Sequence, residues 1–143
     1  MVEVHLFAGI ALLLTNLLAG VWGGVAWLRQ RPSVGFWYAL RVAQVSVFIQ
    51  VALGATLLLL GRRAVDIHYL YGALPLLVSL AAETARVGAG SMEIGETDFR
   101  ALPESDQRAL ALAIVRREMG IMAVGCLVIV GLALRAAGTS PAF

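Results

Sequence analysis

Four long apolar runs, separated by polar punctuation, make up most of the chain. The first is Val4 to Leu28, ended by Arg29, Arg31 and Pro32. The second runs from about Phe36 to Leu60 and stops at Gly61-Arg62-Arg63. The third spans Ile67 to Ala85 and is closed by Arg86 and a glycine-rich stretch. The fourth is Met119 to Leu134, preceded by Arg116, Arg117 and Glu118. A transmembrane helix needs about 20 apolar residues. The pattern therefore predicts an all-α integral membrane protein, a single-domain four-helix bundle with spans at about 4–28, 36–60, 67–86 and 117–135. Short connections force antiparallel neighbours, so the expected topology is up-down-up-down.

The exception is the connection over about residues 87–116. It begins Val87-Gly88-Ala89-Gly90-Ser91 and continues with Glu93, Glu96 and Asp98. Pro103-Glu104-Ser105-Asp106 then reads as a helix start, with proline early and acids in the first turn. A helix from near Pro103 is expected to run on into the fourth span, so that the fourth helix extends into the cytoplasm, its first three turns projecting there or lying along the interface.

Composition agrees with this reading. Of 143 residues, 60% are hydrophobic and only 14% charged, where a soluble domain carries about a quarter charged residues. All 11 basic residues are arginine, which reads as the codon bias of a GC-rich genome. No strongly basic or acidic tail points to nucleic acid as a partner. The single Cys126 rules out an internal disulfide. The first run lacks the marks of a cleavable signal peptide: its tail carries Glu3 and no Arg or Lys, and no small-residue cleavage site follows.

Arginine placement sets the expected orientation. Arg29, Arg31, Arg41, Arg86, Arg100, Arg108, Arg116 and Arg117 share one face, against Arg62, Arg63 and Arg135 on the other. The first face is expected to be cytoplasmic, with both termini outside. Arg41, Glu83, Arg86, Arg116, Arg117 and Glu118 then form a charged cluster near the inner interface. Carboxylates paired with anchoring arginines explain it, and so does a site for phosphate or an anionic lipid headgroup. The glycine-rich stretch after Arg86 does not match a Walker pattern. Asn16, Gln44, Ser46, Gln50 and Ser79 lie within the spans and suit interhelical hydrogen bonding, while Gly20 and Gly24 form a small-xxx-small pair. Trp22, Trp27, Trp37 and Tyr38 fit an interfacial aromatic belt.

The chain has two histidines, His5 and His68, at the outer starts of the first and third helices and so at nearly the same depth. In an up-down bundle these helices are diagonal. With neighbours about 8–10 Å apart, the diagonal is about 11–14 Å, which suits two imidazoles and a haem iron. Gly9 and Gly72 each follow a histidine by four residues, leaving a side-chain-free position one turn deeper on the same face. Cofactor sites in bundles are built in this way, from facing helices. The pair therefore predicts one haem b, with His5 and His68 as iron ligands and Gly9 and Gly72 making room. Solvated histidines in an aromatic belt, a quinone site and a metal site are alternative readings; no cluster completes a zinc shell. No hydrolytic constellation is visible.

The stretch Asp66-Ile67-His68-Tyr69-Leu70-Tyr71-Gly72, together with Ala113-Ile114-Val115-Arg116-Arg117-Glu118-Met119-Gly120, resembles a group of small four-helix membrane proteins of high-GC bacteria. The resemblance covers most of the chain. It implies a four-helix fold and the bacterial inner membrane, and no activity. The diagonal histidine pair is also similar in principle to membrane b-type cytochromes, in which histidines from diagonal helices clamp haem. The chain departs from the respiratory cytochrome b core in having two histidines where that core has four. At most one haem fits, and one haem alone cannot carry electrons across the bilayer. Three functions are consistent with the sequence: a protein using one haem for electron transfer or haem handling; a non-catalytic accessory subunit of a larger membrane complex or homo-oligomer; and a small transporter or anionic-lipid-binding protein.

Overall fold

A computed structural model describes residues 1–95 and 98–139. Glu96, in the acidic part of the long connection, lies outside the described residues. Four long helices account for most of the chain: α1 (Val2–Leu28), α2 (Val34–Leu59), α3 (Asp66–Ile94) and α4 (Glu104–Ala137). A short 3₁₀ turn, Phe99–Ala101, precedes α4. All four helices are long and apolar enough to cross a membrane, the pattern of a multi-pass membrane protein. An apolar solvent leaves the backbone no hydrogen-bond partner but itself, so such runs form helices from end to end.

The helix boundaries follow local chemistry. α1 stops where Gln30 turns to a positive φ of 57° and Pro32 bars continuation. α2 starts at Ser33, whose hydroxyl accepts a hydrogen bond from the Phe36 amide (3.3 Å). It ends before Gly61 at φ 77°, a left-handed position that glycine adopts without steric cost. Asp66 opens α3, and Glu104 and Asp106 sit in the first turn of α4, where the helix dipole favours acids. Pro103 occupies the α4 N-cap.

Each of α1 and α3 packs closely on α4, and α1 packs closely on α2, whereas α2 and α3 touch only lightly. Around the bundle the order is α1, α2, α3, α4, with α1 and α3 on one diagonal. The histidine end collects the start of α1, the end of α2, the start of α3 and the end of α4. The opposite end, rich in arginine, carries the remaining termini.

Glycine decides how closely the helices approach. A Cβ on Gly23 would run into the ring of Phe36, and one on Gly120 would lie 2.8 Å from the Trp27 indole. The aromatic rings of one helix therefore rest on the bare backbone of another. Gly20 does the same for Leu127 of α4, while a Cβ on Gly24 would meet nothing within 4 Å. The contact thus runs through Gly20 and Gly23, not through the Gly20/Gly24 spacing. Trp27 belongs to this interhelical packing as well as to the rim. Phe36, Leu40, Met119, Met122 and Cys126 fill the core around it. Leu12, Val47 and Ile129 form a second cluster nearer the histidine end. Asn16 is the one buried polar side chain among the described residues; its amide donates to the Leu12 carbonyl (2.9 Å) and reaches the Ala43 carbonyl of α2 (3.5 Å).

The glycine-rich stretch after Arg86 is helical, where its composition had suggested a loop. Ala89 and Gly90 are buried, and a Cβ on Gly90 would sit 3.4 Å from Glu118 Oε1 and 3.6 Å from Ile114. These small residues let α3 and α4 stay in contact. The two helices hold 29 and 34 residues, so each exceeds the roughly 30 Å of a hydrocarbon core. Since they are level at the histidine end, their surplus length forms a helical hairpin at the arginine end.

Substituting Gly23→Ala is expected to lower stability by about 1–3 kcal/mol through overpacking against Phe36. Gly24→Ala should be neutral or slightly stabilising, because it adds helix propensity without a clash. Thermal unfolding of the two variants in the same detergent tests the contrast; equal melting temperatures would refute this packing account.

Candidate functional site

The sequence singled out two groups, and the fold places them at opposite ends. At the histidine end, His5 lies in the second turn of α1 and His68 in the first turn of α3. Although α1 and α3 are diagonal, the two imidazoles meet: their ring centroids are 6.4 Å apart and their planes are inclined by 61°. Both rings are half-buried.

Each ring is held by the protein. Nδ1 of His68 is 3.1 Å from the Ala136 carbonyl at the end of α4. A carbonyl only accepts, so the proton sits on Nδ1 and the basic lone pair of the neutral ring is on Nε2. Tyr69 stacks edge-on to His68 at 6.4 Å, and its hydroxyl accepts from the Ala64 amide (2.8 Å), which ties the start of α3 to the preceding turn. His5 Nε2 is 3.2 Å from the Gln50 side-chain amide nitrogen of α2. His5 Nδ1 and Gln50 Oε1 are buried and have no hydrogen-bond partner among the described residues. Turning the amide over exchanges which of its atoms is orphaned but does not remove the orphan. A buried polar atom without a partner is costly, and two such atoms lie beside one histidine.

The glycines differ in what surrounds them. A Cβ on Gly72 would meet nothing within 4 Å, so there is open space one turn from His68. The space over Gly9 is taken by Gln50, whose amide would be 3.1 Å from a Cβ there. Gly54, one turn from Gln50 on the same face of α2, is the glycine that lies against His5, with a Cβ 3.3 Å from its ring. Gln50 and Gly54 thus join His5 in the site. Their i, i+4 spacing is visible in the sequence, but nothing there says that α2 turns this face toward His5.

The pair passes a simple distance test for an iron ligated on both sides. Two metal–imidazole bonds of about 2 Å, plus about 1 Å from each ring nitrogen to its ring centre, give a centroid separation of about 6 Å. No group of three His, Cys, Asp or Glu side chains that could hold a metal ion occurs among the described residues. A shallow cleft of about 600 Å³ opens at the same end, lined by Met1, Val2, Glu3, Leu57, Leu60 and Arg62.

At the arginine end, Arg41 binds Glu83 (2.6 Å), and Gln44 donates to the same carboxylate oxygen (2.7 Å). The other oxygen of Glu83 accepts from Arg86 Nε (2.9 Å), and Arg86 continues to Glu118 (3.4 Å). The Arg86 guanidinium also lies 5.7 Å from the Trp37 ring centroid. Arg117 pairs separately with Glu93 (2.8 Å). Among the described residues Arg116 has no carboxylate partner. The network of Arg41, Glu83, Arg86 and Glu118 contains two cations and two anions, so it compensates itself. Its position explains its use, since α2 and α3 make little apolar contact and Arg41–Glu83 and Gln44–Glu83 bridge that seam.

Comparison with protein-family models, curated proteins and solved structures finds no match. The functional reading rests on the chemistry of these two ends.

Replacing Glu83 by Ala leaves Arg41 and Arg86 without their shared carboxylate. The expected loss is about 2 kcal/mol, between an exposed and a fully buried ion pair. Arg117→Ala, which breaks only the pair with Glu93, should cost less than half of that. Parallel denaturation curves decide the matter, and an equal loss in the two variants would contradict the stapling role of Glu83.

Proposed function

We propose that this chain is a small multi-pass protein of the bacterial inner membrane that binds one b-type haem near the outer face, through His5 and His68, for electron transfer or haem handling. The observation that carries the reading is the meeting of two imidazoles from diagonal helices at 6.4 Å, each fixed by a partner on a third or fourth helix. A second protein group holding the far nitrogen of a ligating histidine is the ordinary way its ring is oriented. Ala136 is such a group for His68. The open position at Gly72 supports the reading, because a flat macrocycle needs bare helix surface beside its ligands.

In this reading His68 would bind through Nε2, its tautomer set by Ala136, and His5 would bind from the opposite side. Gln50 lies against His5 and Gly54 lets the ring approach α2. The apolar bundle below excludes water. A bound haem supplies a one-electron couple at this depth. With a single histidine pair, a haem held there would exchange electrons on the histidine side and would not carry them through the bundle. The arginine bias supports an outside position for that side, toward the extracytoplasmic space.

The self-compensated network at the arginine end leaves little net positive charge for an anionic substrate, so the transporter or lipid-binding reading gains nothing from it. A non-catalytic accessory subunit or homo-oligomer is the reading to adopt should haem be absent.

The test is an absorption spectrum of the detergent-purified protein from haem-replete cells, oxidised and then reduced with dithionite. The expected result is a Soret band that sharpens and shifts on reduction and is lost in both His5→Ala and His68→Ala. A colourless wild-type protein would sink the haem reading and direct attention to a partner complex.

A further inference from the structure

His5 and His68 stand within the first two turns of their helices, so any group held between them has one edge at the end of the bundle. The cations at this end are Arg62 and Arg63, in the turn between α2 and α3, and Arg135, in the last turn of α4. Arg135 is distinguished by its placement. It directly precedes Ala136, whose carbonyl holds His68. Its guanidinium lies 5.9 Å from the ring centroid of Tyr71. Tyr71 is one turn from His68 and adjoins Gly72, where a Cβ would meet nothing within 4 Å. Among the described residues the acidic side chains at this end are Glu3 and Asp66, and Arg135 pairs with neither.

We infer that Arg135 is the anion partner of a carboxylate-bearing tetrapyrrole held between His5 and His68, an inference that rests on the haem reading above. Carboxylates brought beside an apolar bundle need a charge partner, because desolvating an unpaired anion is costly. A guanidinium suits the task, being permanently charged and shaped to bind a carboxylate through two parallel hydrogen bonds. Stacking on Tyr71 holds the guanidinium in place before the ligand arrives. A neutral quinone or a bare metal ion would have no use for this cation. Arginine at a helix C-terminus also complements the helix dipole, but that role alone is indifferent to whether a ligand carries carboxylates.

Binding of two probes separates these roles. The full-length protein, stripped of haem in detergent, is titrated with iron protoporphyrin IX and with its dimethyl ester, following the Soret band. The titrations use the wild type, Arg135→Gln and Arg135→Lys, with melting curves to show that each is folded. Arg135→Gln should weaken binding of the diacid by about tenfold, the size of one charge-assisted hydrogen bond. It should leave binding of the diester unchanged, and Arg135→Lys should retain most of the affinity for the diacid. Unchanged diacid affinity in Arg135→Gln, or an equal loss for diacid and diester, overturns the assignment of Arg135 while the haem reading stands. Absence of a Soret complex with either probe in the wild type overturns the haem reading itself.

Discussion

Close approach of helix backbones at glycine is the constraint from which the rest of the structure follows. In an apolar solvent, burying apolar side chains provides no drive for helices to associate; they are held by van der Waals contact and hydrogen bonds. Contact of that kind needs surfaces that interlock. Phe36 on Gly23, Leu127 on Gly20 and Trp27 on Gly120 provide it, joining α1 to α2 and α4. Each such contact also fixes how far a helix is rotated about its own axis. With α1 set in this way His5 is turned toward α2 and α3, and with α3 packed along α4 His68 is turned toward the centre.

The two ends of the bundle use polar groups differently. At the arginine end, cations and carboxylates answer one another, and the result is a cross-brace over the thin seam between α2 and α3. At the histidine end the polar groups do not all find partners among the described residues. His5 Nδ1 and Gln50 Oε1 remain buried and unsatisfied, and the surface beside Gly72 is bare. The Arg41–Glu83–Arg86–Glu118 network at one end compensates itself, although Arg116 beside it has no carboxylate partner among the described residues, while two buried polar atoms at the other end are left unpaired. This contrast favours a site at the histidines over a site at the larger and more conspicuous charged cluster.

Much of the architecture was legible in the residues. The four apolar runs, their boundaries at Pro32, Gly61 and Pro103, and the continuous fourth helix could be read directly, because each rests on local composition. The stretch after Arg86 was harder. Gly88 and Gly90 weaken a helix by propensity, and only the presence of α4 alongside Ala89 and Gly90 makes a helix favourable there. Gly20 and Gly24 showed the same limit, for spacing marked both as contact positions while packing used Gly20 and Gly23. Among the site residues, His5, His68 and Gly72 stood out by rarity and spacing. Gln50 and Gly54 did not, since a glutamine and a glycine in a membrane span have many ordinary uses.

By itself the sequence determined which segments are helical and apolar enough to cross a membrane, and where each polar group lies along its helix, because hydropathy and helix rise act along one dimension. Helix rotation was decided only by the tertiary structure, since it depends on which side chains interlock between segments far apart in the chain. That rotation brings two histidines separated by most of the first half of the protein to 6.4 Å from one another. It also puts Gln50 against one of them and the Ala136 carbonyl against the other.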